Sequence, residues 1–80
     1  MKIARLKELL NEGHEFEFDY KGKRYSLTWS DVEDDVMAFC EFYKDDIASK
    51  NIDEILNATY NGMKVSDIIE DLNEEEMDIF

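Results

Sequence analysis

The stretch His14–Trp29, HEFEFDYKGKRYSLTW, decides the fold, because aromatic and polar residues alternate along it on both sides of a central Lys-Gly turn. Alternation with a period of two is typical of strands that bury one face. A two-residue turn fixes the pairing so that Phe18 faces Tyr25, and a shift by one residue would scatter the aromatic side chains over both faces. The pattern therefore predicts a β-hairpin with strands at 14–20 and 24–30.

The segment after the hairpin, residues 31–48, admits two interpretations. As a helix, it would begin at a capping Ser30, with Glu33 three residues later completing a capping box. As an acidic loop followed by a strand, it would place the run VMAFCEFY, residues 36–43, beside the hairpin. A two-stranded hairpin alone is marginally stable and gains from a third strand. We therefore favour a third strand at 36–43 and keep the helix as the alternative.

Helical patterns occur on both sides of this predicted sheet. Leucines at helical spacing predict a helix over residues 2–12, with Gly13 at its C-terminal end. Asn51 is typical of a helix cap before IDEILN, and a turn at Asn61-Gly62 precedes a second short helix from Val65. The last residues, NEEEMDIF, are expected to form an acidic tail. The predicted fold class is α+β, a single domain over 1–80, with one small antiparallel sheet, an N-terminal helix and two short C-terminal helices.

The composition restricts how this fold is supported and where it works. The chain has 80 residues, one cysteine and one histidine, so neither an internal disulfide nor a structural zinc site of its own residues is available. A single thiol suits a reducing compartment, and no apolar stretch approaches the length of a membrane span. We expect a cytoplasmic protein that contacts no membrane and uses no cofactor.

The charge is strongly negative and unevenly distributed. Residues 1–24 hold six basic and five acidic side chains, whereas residues 25–80 hold three basic and sixteen acidic ones, and the net charge is −12. Such a surface repels nucleic acid and anionic lipid and attracts basic protein surfaces. A simpler interpretation is that the acidity only keeps a small domain in solution.

Neither an enzyme nor a metal protein is indicated by the motifs. Cys40 with His14 is the one pair that could serve as nucleophile and base, but Cys40 lies in an apolar run typical of a buried side chain. The acidic run after Ser30 lacks the spacing of a calcium-binding loop, and all three glycines fall at caps or turns. We therefore expect a non-enzymatic protein without a bound metal.

The stretches YKGKRYSLTW and NIDEILNATYNGMKVSDIIEDL together resemble small uncharacterised proteins of Gram-positive bacteria and their phages. The resemblance covers about residues 16–72 and rests on caps and turns, so it implies a mobile-element origin and no chemistry. In size and charge the chain is also similar, as a class, to acidic phage proteins that inhibit host nucleases, including anti-CRISPR proteins.

Two functional hypotheses follow from the excess of carboxylates. In the first, an acidic face imitates the phosphate charge of nucleic acid and blocks a basic site on a host protein that binds nucleic acid. The predicted contacts are Asp31, Glu33, Asp34, Asp35, Asp45, Asp46, Glu74, Glu75 and Glu76. In the second, the chain is a structural or homodimeric domain whose acidity only aids solubility. Its predicted apolar contact consists of Tyr20, Tyr43, Met77, Ile79 and Phe80.

Overall fold

The computed structural model describes all 80 residues and has the predicted α+β architecture. Its elements, in chain order, are α1 (Ile3–Asn11), β1 (Phe16–Tyr20), β2 (Lys23–Trp29), β3 (Met37–Glu41), β4 (Ile47–Ser49), α2 (Ile52–Asn57), β5 (Thr59–Tyr60), β6 (Met63–Lys64), α3 (Val65–Glu70), a 3₁₀ turn (Glu74–Glu76) and β7 (Met77–Ile79). Five strands form one antiparallel sheet in the order β4-β3-β2-β1-β7, and β5 and β6 form a separate small hairpin.

The β1–β2 hairpin has the predicted register, with Phe18 opposite Tyr25. Its two turn residues, Lys21 and Gly22, have φ angles of 48° and 79°. Positive φ at both central positions is the signature of a type I′ turn, whose twist matches that of paired strands. The Asn61-Gly62 turn between β5 and β6 has the same signature, with φ angles of 50° and 79°.

The third strand is confirmed over Met37–Glu41, and the helical interpretation of this segment is wrong. Phe39 pairs with Leu27 of β2, and both side chains are fully buried. The helix-start signal nevertheless has a local effect, because the Ser30 hydroxyl accepts hydrogen bonds from the backbone amides of Val32 and Glu33. The turn does not continue as a helix, since pairing with β2 buries the alternating apolar residues that follow it.

The two outer strands were not predicted. β4 lies beside β3, and β7 lies beside β1 at the opposite edge of the sheet. The expected acidic tail is instead a 3₁₀ turn followed by a strand, in which Met77 pairs with Phe18 and is 7% exposed. The alternation of Met77 and Ile79 with polar residues is too short to identify a strand from sequence, and the pairing with β1 stabilises it.

The three helices pack on one face of the five-stranded sheet, which we term the inner face. The core consists of 17 buried residues drawn from the helices and from alternate strand positions, and it contains no charged group. Phe18, Tyr25 and Phe39 stack across three neighbouring strands, with ring centroids 5.6 to 6.3 Å apart. No helix of the chain is long and apolar enough to cross a membrane.

Candidate interaction surface

The other face of the sheet, which we term the open face, is not covered by a helix. None of its side chains is fully buried, whereas the inner face supplies the core. The open face consists of alternate residues from all five strands: Glu17, Asp19, Arg24, Ser26, Thr28, Ala38, Cys40, Ala48 and Asp78. This face is where the chain offers an extended surface to another molecule.

On the β7 side of the open face, one cation is paired with three carboxylates. The Arg24 guanidinium hydrogen-bonds to Asp78 and Glu17 and lies 3.5 Å from Asp19. These contacts, the hydrogen bond to Asp78 foremost, raise the pKa of Arg24 above its ordinary value. The guanidinium also lies over the ring of Phe42, 5.8 Å from its centroid. This half of the face is therefore occupied by its own ion pairs.

On the β4 side, the open face forms a depression of about 450 Å³. Four of its nine lining residues are apolar and three are charged. The lining includes Val32, Val36, Ala38 and Ala48 together with Glu33, Asp46 and Lys50. Val32, one of the apolar lining residues, is 92% exposed.

The structure divides the nine predicted acidic residues into three separate groups. Asp31, Glu33, Asp34 and Asp35 lie in the β2–β3 loop, at one end of the sheet. Asp45 and Asp46 follow β3 at its other end, and Glu74–Glu76 precede β7 at the far edge. Only Glu33 and Asp46 line the same depression. The predicted acidic residues therefore do not form one continuous row.

Most of these nine carboxylates have no cationic partner. Glu74 lies 3.1 Å from the Arg5 Nε, and their hydrogen bond raises the pKa of Arg5 above its ordinary value. Glu76 accepts a hydrogen bond from the backbone amide of Asn73. The loop and turn acids make no ion pair, and all of them are exposed. With Glu75, which also has no partner, seven carboxylates are thus left to interact with solvent or with another molecule.

Asp45 belongs to a different local environment from Asp46. Its backbone carbonyl accepts a hydrogen bond of 2.6 Å from the Tyr60 hydroxyl, which in turn accepts one from the Glu41 amide. Asp45 lines a second depression with the cations Lys23 and Lys44. Asp45 therefore contributes little negative potential to the depression beside β4.

The β3–β4 turn also displays an aromatic side chain. Tyr43 is 100% exposed and has a φ of 66°. A bulky residue in the left-handed region is uncommon and carries a conformational cost of about 1 kcal/mol or more. The Tyr60 hydroxyl holds the backbone of this turn on both sides of Tyr43, at Glu41 and Asp45.

The candidate nucleophile and base do not form a site. Cys40 lies on the open face, with its Sγ 3.6 Å from the Ser26 hydroxyl. His14 precedes β1, and its Nδ1 lies 2.8 Å from the Phe80 carbonyl oxygen. Cys40 is half-buried and not enclosed in the core as expected. No group of three or more His, Cys, Asp or Glu side chains is arranged to hold a metal ion.

The apolar contact predicted for a homodimer is not one surface. Tyr20 and Met77 are 8% and 7% exposed and belong to the core. Tyr43 and Phe80 are exposed, but one follows β3 and the other follows β7 on the far side of the sheet. That part of the prediction is wrong, because burial on the inner face removes two of the five side chains.

Two features of the surface were missed by sequence reasoning. The ion-pair cluster around Arg24 depends on β7 lying beside β1, which brings Asp78 next to Glu17. The depression beside β4 depends on the β2–β3 loop lying next to Ala48. The hairpin register alone places Asp19 opposite Arg24, which accounts for two of the four members of the first cluster.

Comparison of the chain with protein families, curated proteins and solved structures finds no match. The function is therefore argued from the chain's own surface.

Proposed function

We propose that the chain is a non-enzymatic interaction module that presents the β4 side of its open face to a basic site on another protein. One observation carries the proposal. Glu33 and Asp46 line an uncovered, partly apolar depression with Lys50 and make no ion pair, while the three carboxylates on the other half of the same face are all paired with Arg24. A surface that combines apolar side chains with carboxylates that make no ion pair fits a partner that brings hydrophobic contact and positive charge together.

Crowded like charges cost the domain stability. The carboxylates of the β2–β3 loop repel one another and contribute nothing to the core, in a domain whose total stability is only a few kcal/mol. Lysine or arginine side chains of a partner would relieve that repulsion. Exposed charges also accelerate association, and this effect fades as salt shortens the range of the field.

The finer form of the proposal is that the partner is a host protein that binds nucleic acid. A double helix presents about one phosphate charge per 1.7 Å of its axis, so a groove that holds it is strongly basic. A small acidic protein that occupies such a groove acts as an inhibitor of the anti-CRISPR kind, without any catalytic step. The β2–β3 loop, with acids at four of five successive positions, is the segment that best approaches that charge density.

The test is capture of nucleic-acid-binding proteins from a bacterial lysate, fractionated on heparin, by the immobilised chain. We expect capture at about 50 mM salt, its loss at about 500 mM, and competition by duplex DNA. The double substitution Asp34→Lys with Asp35→Lys should reduce capture at least about tenfold, because each reversal adds repulsion at the contact.

The matched control is Asp67→Lys with Glu70→Lys, which changes the net charge equally at exposed positions on α3. It should leave capture nearly unchanged. Equal losses from the two double variants would mean that net charge alone is responsible, and the proposed surface would be wrong.

A second candidate function is a structural or homodimeric domain whose acidity only aids solubility. It is favoured by the division of the nine predicted acids among both ends and the far edge of the sheet. Sedimentation equilibrium at low and high salt separates the two candidates. A dimer that is insensitive to salt supports the second, and a monomer that captures basic proteins supports the first.

A further inference from the structure

The β4 edge of the sheet has backbone groups without a strand partner. Across β2 and β3, Ser30 bonds to Val36 and Phe42 bonds to Arg24 through their backbone atoms. Hydrogen-bonded pairs alternate with pairs that share no hydrogen bond along an antiparallel ladder. The backbone groups of the even-numbered residues of β3 therefore bond to β2, and those of the odd-numbered residues Met37 and Phe39 point toward β4. Their partners on β4 are Ile47 and Ser49. The N–H and C=O of Ala48 therefore point away from the sheet, at its open edge.

The opposite edge differs in what surrounds it. On β7, the open-face side chain is Asp78, which is held by Arg24. On β4, the corresponding side chain is Ala48, which is small, exposed and part of the depression. A strand added at β4 would place its side chains beside this depression, whereas a strand added at β7 would meet an ion-pair cluster.

The surroundings of β4 indicate the chemistry of the added strand. On the open face, a long side chain would lie with its aliphatic part over Ala38 and Ala48, as lysine and arginine do on apolar surfaces. Its charged end would lie near Glu33 and Asp46, which outnumber Lys50, the one cation of the depression. On the inner side, the half-buried Ile47 is packed against the core and would meet an apolar side chain. Alternation of basic and apolar residues suits both sides.

We infer that β4 accepts a sixth, antiparallel strand from the partner, an extended segment in which lysine or arginine alternates with apolar residues. This inference rests on the proposed function, because it specifies how the basic partner contacts the same surface. Recognition by strand addition draws its affinity from backbone hydrogen bonds and its specificity from alternate side chains.

The probe is the peptide Lys-Val-Lys-Val-Lys-Val-Lys with blocked ends, titrated into the full chain and followed by NMR. We expect salt-sensitive binding, a shift of the Ala48 amide and slower hydrogen exchange there, with smaller changes at Ile79 on β7. In an antiparallel pair the residue opposite Ala48 projects its side chain to the same face and exchanges both backbone hydrogen bonds with it. The lysine amides of the peptide are therefore the ones that face β4.

N-methylation provides a matched pair of peptides with equal charge and composition. Methyl groups on the central lysine amides should weaken binding at least about tenfold, since they remove bonds to β4. Methyl groups on the valine amides, which face away, should change it less than about twofold. Equal binding by the two methylated peptides would overturn strand addition while supporting a charge-only contact, so the proposed function would survive.

A chain variant tests the same hydrogen bonds from the other side. Ala48→Pro removes the outward N–H, and proline is accepted on edge strands where that group faces solvent. It should weaken binding of the unmethylated peptide, while Ile79→Pro on the opposite edge should not. Failure of the unmethylated peptide to bind at about 50 mM salt would overturn the inference and contradict the proposed function as well.

Discussion

The two faces of the five-stranded sheet are built from alternate residues of the same strands, yet they have different roles. Phe39 and Cys40 are neighbours in β3, but Phe39 is fully buried in an aromatic stack and Cys40 is half-exposed beside Ser26. The inner face supplies stability through apolar burial, whereas the open face carries charge and is free for contact. In this chain, neighbouring residues of one strand can therefore have separate roles, one in the stability of the fold and the next in contact with another molecule.

The largest expected effect is on the inner face. Phe39→Ala should lower the free energy of unfolding by about 3–5 kcal/mol, because it removes a fully buried ring and leaves a cavity. Urea denaturation measures this value, and the conservative Phe39→Leu keeps the protein folded enough to measure if alanine does not. Cys40→Ala on the open face should change the free energy of unfolding by less than about 1 kcal/mol. Similar losses at the two positions would break the comparison.

The next effect concerns the ion-pair cluster on the β7 side of the open face. Arg24→Gln leaves Glu17, Asp19 and Asp78 close together without a cation, so the melting temperature should fall. The fall should be greatest at low salt, because salt screens the remaining repulsion. Lys64→Gln removes the same charge from an exposed side chain without an ion pair and is the control. A salt-independent loss would show that Arg24 acts through packing and not through charge.

A smaller loss of stability is expected from a change at the edge of the inner face. There the Tyr20 hydroxyl donates a hydrogen bond of 2.8 Å to Asp71. This hydrogen bond, together with burial and the negative charge of Asp71, raises the pKa of Tyr20 above its ordinary value. The folded pKa thus exceeds the unfolded one. The hydrogen bond to Asp71 therefore stabilises the fold fully below about pH 10, the pKa of a tyrosine in the unfolded chain. This stabilisation is lost as the pH rises through the higher pKa of Tyr20 in the folded chain.

Tyr20→Phe should therefore lower the melting temperature at neutral pH and reduce the further loss of stability in alkaline solution. Melting curves between neutral pH and about pH 11 measure both changes. Tyr43→Phe alters a fully exposed hydroxyl and should change neither. Parallel pH profiles for wild type and Tyr20→Phe would contradict the role given to Asp71.

The smallest effect on stability is expected at the depression beside β4. Glu33→Gln with Asp46→Asn should leave the free energy of unfolding within about 0.5 kcal/mol of wild type, because neither carboxylate supports the fold. The same variant should bind the basic peptide more weakly. A clear destabilisation would mean that these carboxylates are structural, and the division of labour between the two faces would no longer hold.

Much of the fold could be predicted from residues close together in sequence. The hairpin register followed from alternation and a two-residue turn, and Asn51 does cap α2 by accepting a hydrogen bond from the Asp53 amide. Ser30 shows the limit of such local signals. Its hydroxyl makes the contacts of a helix cap, but the residues after it form a strand, because pairing with β2 buries Phe39.

Less of the candidate surface could be predicted. The sequence indicated an excess of carboxylates but not which of them would share a surface, since Glu33 and Asp46 approach only when β4 lies beside β3. The acidic end of the chain gave no sign of a strand, because Met77 and Ile79 become strand residues through contact with a distant partner, β1.

The fold class, the central hairpin and its aromatic inner face follow from local sequence, because period-two alternation across a tight turn admits one register that buries the apolar side chains. Only the folded chain shows which strands form the edges of the sheet, that Arg24 pairs with three carboxylates, and that Glu33 and Asp46 beside β4 make no ion pair. These features arise from contacts between residues far apart in the chain, and local sequence patterns do not indicate such contacts.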